Sequence, residues 1–165
     1  MAPREFPTRR AVLLAGAGAL AGLAGCSDSD DSAGPDSTGT ADGLDLREAN
    51  VVGVTVERDG DSVTFDVSLH HDDSGEDGYA NWWQVETLDG ERLGRRELTH
   101  PHATQPFTRS GTFPVGPATQ CVVVRGHDQT HGYGGQAMVV DVETGMTRRV
   151  LQGSEKDAVE AADCP

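Results

Sequence analysis

The sequence predicts an all-β domain, an immunoglobulin-like antiparallel sandwich of seven or eight strands, and three observations lead there. Apolar and polar residues alternate with a period of two, most cleanly at Val63, Phe65, Val67 and Leu69. Turn signals rich in Asp and Gly recur roughly every eight to twelve residues. No strong helical period appears anywhere after residue 26.

Four segments follow from composition. In residues 1–26, Arg4, Arg9 and Arg10 precede an uncharged run from Ala11 to Gly25, too short to span a bilayer and suited to a signal peptide. Thr8-Arg9-Arg10-Ala11-Val12-Leu13-Leu14 resembles a twin-arginine export signal, and Leu23-Ala24-Gly25-Cys26 resembles a lipobox in which Cys26 carries the lipid. A short membrane anchor left uncleaved is the alternative reading. Residues 27–48, rich in Ser, Asp, Gly and Thr, read as a disordered acidic tether. The sandwich occupies residues 49–153, and residues 154–165 read as an acidic C-terminal tail with a helix-compatible turn at 155–162.

Within the domain, Val52, Val54 and Val56 alternate with Gly53 and Thr55, and Asp59-Gly60-Asp61 turns the chain into the strand at 63–69. A second hairpin runs from Asn81 to Leu88, turns at Asp89-Gly90 and returns from Arg92 to Leu98. Alternation puts Trp82 and Trp83 on opposite faces; Trp83 shares a face with Val85 and reads as core, and Trp82 as half exposed. Residues 100–112 read as a loop leading to a short edge strand at 112–115. The stretches 121–125 and 136–143 are the most β-prone, and a last short strand spans 146–151.

Removing residues 1–26 leaves ten basic against 26 acidic residues, a formal charge of −16, with Lys156 the sole lysine. Such a surface repels nucleic acid and anionic headgroups, so neither is expected as a direct partner. Carboxylates spread over every loop, with arginine as nearly the only cation, fit the solubility needs of a salt-loving archaeon. With Cys26 assigned to lipid, Cys121 and Cys164 form an even pair in an extracytoplasmic setting, where a disulfide is expected. The alternative is a buried Cys121 and a free Cys164.

The chemistry centres on 125–135, where His127, Asp128, His131 and Tyr133 lie among glycines between two apolar runs. All six histidines come in pairs near strand ends: His70 and His71, His100 and His102, His127 and His131. Neutral imidazole ligates copper, zinc and nickel. His100 and His102 flank Pro101, so an extended backbone projects both to one side with Cα atoms roughly 7 Å apart. His127 and His131 are about 13 Å apart along a strand and meet only if the loop curls back. His70 and His71 point to opposite faces, so at most one joins a shared site. His100, His102, His127 and His131 are therefore the metal or ligand candidates, with Gln105, Arg125, Asp128 and Tyr133 in support. The structural alternative is that each histidine bonds a loop carbonyl and Asp128 caps a turn.

His100-Pro101-His102 with Gln105-Pro106-Phe107-Thr108-Arg109-Ser110, followed by His127-Asp128 and His131-Gly132-Tyr133-Gly134-Gly135, resembles a group of uncharacterised exported archaeal and bacterial proteins. The likeness covers 79–142 and implies only that the two blocks belong together. The signal segment resembles those of haloarchaeal lipoproteins. No G-x-S-x-G, no phosphate-cradling glycine loop and no cysteine beside a base is present. Ser110, a histidine and Asp128 could be drawn as a triad, but any chain of this size permits such a drawing.

The sequence thus predicts a non-catalytic binding domain, held to the outer face of the cell membrane by lipid on Cys26, with a His-rich loop site suited to copper or zinc. A structural or protein-interaction module of the envelope is the alternative, and a hydrolase or redox enzyme the third reading. The functional expectation depends on the segments near 100 and near 127 meeting at one tip.

Overall fold

A computed structural model describes residues 43–73 and 75–165; residues 1–26, with the export signal and Cys26, lie outside the described residues, as does most of the tether. Among the described residues nine strands occur: β1 (Asn50–Asp59), β2 (Ser62–His70), β3 (Ala80–Thr87), β4 (Arg92–Glu97), β5 (Phe107–Pro114), β6 (Cys121–Asp128), β7 (Gly132–Tyr133), β8 (Gln136–Asp141) and β9 (Thr147–Leu151). They make two antiparallel sheets, β1-β2-β5 and β4-β3-β6-β8-β9, with the short β7 also paired to β6. This is the expected sandwich, with the two-residue β7 added by the glycine-rich stretch.

The core is what the alternation promised. Val63, Phe65, Val67 and Leu69 of the small sheet face Trp83, Val85, Val122, Val124, Met138 and Val140 of the large one. Strand β1 departs from a strict period: Val51 and Val54 are both buried, three residues apart. A bulge between Val51 and Gly53 takes up the extra residue and brings both side chains inward.

Two expectations are corrected. Strand β5 begins at Phe107, inside the stretch read as loop. Its outward positions are hydroxyls, and Thr108 and Thr112 bond Ser68 and Thr64 across the strand pair at 2.7 and 2.9 Å. A strand with one polar face and few apolar residues gives little hydrophobic signal. Trp82, expected half exposed, is 8% exposed. It lies on the outer face of the large sheet, stacked on His127 with centroids 4.2 Å apart and covered by the Arg95 guanidinium at 3.7 Å.

The C-terminal segment covers part of that outer face. Val159 packs with Cys121, Val123, Ala137 and Val139 in a second apolar cluster. The Cys121–Cys164 bond is formed, with Cα atoms 5.9 Å apart, and a single 3-10 turn at Ala161–Asp163 replaces the expected helical turns. Arg125 fastens the same segment. Its Nε donates to Glu86 Oε2 at 3.1 Å, its Nη1 to Gln152 Oε1, and its Nη2 to the Asp157 carbonyl at 2.7 Å. Lys156 Nζ lies 2.9 Å from the same buried Glu86. Arg125, proposed as a supporting site residue, is thus 2% exposed and anchors the tail.

Candidate functional site

Antiparallel pairing brings the ends of β2, β4 and β6 and the starts of β1, β3, β5 and β8 to one end of the sandwich. The loops around 71–79, 98–106 and 129–135 therefore share that end with the incoming chain at 43–49. The glycines there serve mostly close packing. Among Gly126, Gly132, Gly134 and Gly135, only Gly132 has a positive φ, 88°. A Cβ on Gly126 or Gly134 would strike the Ala49 carbonyl, and one on Gly135 the Glu48 carboxylate. Absent side chains thus let residues 48–50 lie against the β6–β8 connection.

Asp128 is the centre of this end. Fully buried, it accepts the backbone N–H groups of Thr130 at 2.7 Å and His131 at 2.5 Å on Oδ1, which caps the turn as the sequence suggested. His131 Nδ1 lies 3.0 Å from the same oxygen, and His71 Nε2 lies 3.0 Å from Oδ2. One carboxylate therefore sits between two imidazoles. Burial opposes its charge, but the His71 hydrogen bond and the two backbone donors outweigh that and hold its pKa below the usual carboxylate range.

His71, which the sequence reading left aside, is the deepest imidazole, 1% exposed. Its Nδ1 accepts the Asp73 backbone N–H at 2.9 Å, which fixes the proton on Nε2; that proton goes to the Arg47 carbonyl at 3.1 Å, with the Asp128 carboxylate an ion-pair contact at 3.0 Å. Burial alone would lower its pKa; the Asp128 bond and charge, helped by Asp72 and Asp73, raise it instead. Its only sequence signal is that its side chain points opposite to that of its neighbour His70 at the end of β2.

The network continues into the second block. The His71 backbone N–H donates to Gln105 Oε1 at 3.1 Å, Gln105 Nε2 donates to the His102 carbonyl at 2.8 Å, and the His102 backbone N–H donates to Asp73 Oδ2. Gln105 thus supports the loops as a backbone tie. Asp73 adopts a positive φ of 45°, the left-handed conformation that Asp tolerates better than most residues. Three loops and the incoming chain are joined through these hydrogen bonds and the His71–Asp128 contact.

The four candidate histidines lie at this end but do not converge on one point. His127 projects to the outer face, where its Nδ1 lies 2.8 Å from Asn81 Oδ1 and its ring contacts Trp82, with Tyr133 edge-on. Burial, together with the Arg95 charge, pushes its pKa down despite Asp128. Tyr133 supports that stack. His131 is held by Asp128. His100 and His102 form the remaining pair, ring centroids 4.8 Å apart, beside a cavity of about 410 Å³. Among the described residues, the one trio of His, Cys, Asp or Glu ligand atoms within 4.8 Å of one another is Cys121, Asp141 and Cys164, two of them disulfide sulfurs. No group of three ligand atoms within that distance includes a histidine among the described residues. Ser110 donates to Asp66 on the outer face of the small sheet, so the drawn triad with Asp128 is not assembled.

Fold and loop geometry together define a β-sandwich whose histidine-bearing loops are knitted together at one end. The chain is 66% identical over 131 residues to a protein of Halomicrobium mukohataei named "Putative lipoprotein", an alignment covering 79% of this chain and 65% of that one. It therefore spans just under two thirds of that relative's length. No family model matches the chain, and no solved structure does.

Proposed function

We propose that the protein is a lipid-anchored, extracytoplasmic, non-catalytic binding domain that meets its ligand with the loops at the 71–79, 98–106 and 129–135 end. Two features support the anchor: the Leu23-Ala24-Gly25-Cys26 sequence behind Arg9-Arg10, and the lipoprotein name carried by the Halomicrobium relative. Lipid on Cys26 places the domain at the outer face of the cell membrane.

The binding half rests on one observation. The loops are fixed through Asp128, His71 and Gln105, while His100, His102 and Arg109 line a cavity beside that network. Rigid loops presenting a few polar side chains form a preorganised recognition surface. The second reading, a structural or protein-interaction module, draws on the engagement of His71, His127 and His131 in internal contacts.

Both halves are testable in the full chain. Cys26→Ser moves an anchored protein from the membrane to the soluble fraction; unchanged membrane association refutes the anchor. A thermal-shift panel of small anions, divalent and transition-metal ions and amino acids, run in molar potassium chloride, tests binding. The binding reading requires a response that a loop-end substitution such as His102→Asn removes. No response from any panel member leaves the structural module.

A further inference from the structure

The cavity beside the network differs from the rest of the surface in charge. Its walls include His100, His102, Thr104, Phe107, Thr108 and Arg109, and no carboxylate lines it, in a chain with 27 acidic and 13 basic residues. His102 is the least satisfied member of that wall. It is 6% exposed, its ring lies flat on Phe107 at 3.9 Å, and neither ring nitrogen has a hydrogen-bond partner. Buried polar atoms without partners are rare and costly, so a pair of them on one ring is a reason to look for a ligand.

Arg109 supplies a fixed positive charge. One of its nitrogens donates to the Thr108 carbonyl at 2.7 Å and the guanidinium sits 5.5 Å from the Phe107 ring centroid. Its other N–H groups make no hydrogen bond among the described residues. His100 is exposed at the mouth, 4.8 Å from the His102 ring.

We propose that this cavity binds a small oxyanion, a phosphate or carboxylate group, through the Arg109 guanidinium and the ring N–H groups of His100 and His102. The inference rests on the loop-end binding reading and names its ligand class. A guanidinium offers paired donors suited to two oxygens of one anion, and neutral imidazole adds a donor without a proton having to be taken up. The same guanidinium opposes a metal cation, which separates this site from the copper or zinc site expected of clustered histidines. Asp73 is the carboxylate whose field reaches His102; it stands outside the lining, with Oδ2 taken by the His102 backbone N–H.

Binding should tighten as pH falls. Burial, then the Arg109 and His100 charges, hold the His102 pKa below its ordinary value against the opposing Asp73, so the ring is neutral at pH 7. An anion in the cavity favours the protonated ring, and an upward shift of about one pH unit corresponds to about tenfold tighter binding at low pH.

Calorimetric titration of the full chain, in detergent and molar potassium chloride, decides the matter with inorganic phosphate, acetate and zinc chloride as probes. The expected result is saturable phosphate or acetate binding, weakened at least about tenfold in Arg109→Gln and His102→Asn and unchanged in Trp82→Phe. Vesicles with phosphate-ester headgroups that compete with phosphate assign the anion to lipid; failure to compete assigns it to a free solute. Anion binding indifferent to Arg109→Gln, or saturable zinc binding lost in His102→Asn, overturns the proposal. If neither phosphate nor acetate binds while another panel ligand still depends on the loop end, the oxyanion falls and the binding domain stands. If nothing binds, both fall. Arg109 is partly exposed, so unchanged melting of Arg109→Gln guards against misfolding.

Discussion

Replacing both Cys121 and Cys164 by serine should weaken the domain in a way that can be located as well as measured. The bond closes a loop of 43 residues. Chain-entropy loss for such a loop is about 13 cal/mol/K, or about 4 kcal/mol at 25 °C. Second contacts limit the damage, because Arg125, Lys156 and Val159 also hold the tail to the large sheet. With a urea slope of about 2 kcal/mol/M, a loss of this size moves the unfolding midpoint by about 2 M. The tail itself can be followed by one cut. Lys156 is the sole lysine, and its ammonium is paired to buried Glu86, so a lysine-specific protease should spare the parent and cleave the variant there. A stability loss below about 1 kcal/mol with no new cleavage would show that the Arg125 and Val159 contacts suffice, and would refute the assignment of tail fixation to the disulfide.

Asp128→Asn removes the charge shared by His71 and His131 and should cost about 3 kcal/mol in denaturant unfolding, with the His71 ring resonances shifting most; a loss under about 1 kcal/mol would deny the carboxylate its central place. Gly126→Ala drives a methyl group into the Ala49 carbonyl and should cost more than about 2 kcal/mol, whereas Gly116→Ala, with open space around it, should be near neutral. His102 and His127 have folded pKa values below the unfolded value near 6.5, so the stability they contribute is complete above that value and is lost as pH falls through their folded pKa values. His71 works in the opposite direction: with its folded pKa raised, its contribution is complete below about 6.5 and disappears as pH rises through the folded value. Titration of the imidazole C–H resonances should therefore place His71 highest of the three, and the reverse order would contradict the contacts described.

The strands were readable where one face is apolar and the other polar, as at Val63 to Leu69, because burial selects the pattern directly. They were hard to read where apolar residues are few or where both faces are covered. Strand β5 hides behind its Ser and Thr positions, and Trp82 is buried by a partner, Arg95, that arrives from another strand. The disulfide followed from counting cysteines in a chain whose first 26 residues read as an export signal. The site was half readable: proximity of the two His-bearing blocks follows from strand-end positions, but which side chains meet depends on face. His127 and Asp128 are adjacent in sequence and point to opposite sides of β6, so one joins the Trp82 stack and the other the buried network. His71, now central to the buried network, carried no spacing signal because its partner Asp128 lies 57 positions away.

Residues 43–49 reach the domain at its histidine-bearing pole, where the Leu46 carbonyl receives the Asp72 N–H at 2.7 Å. Seventeen peptide steps separate Cys26 from Gly43, a contour of at most about 60 Å. Under the proposed anchor at Cys26, the tether would join the domain beside the proposed binding loops instead of at the opposite pole, and its length would cap how far those loops stand from the membrane.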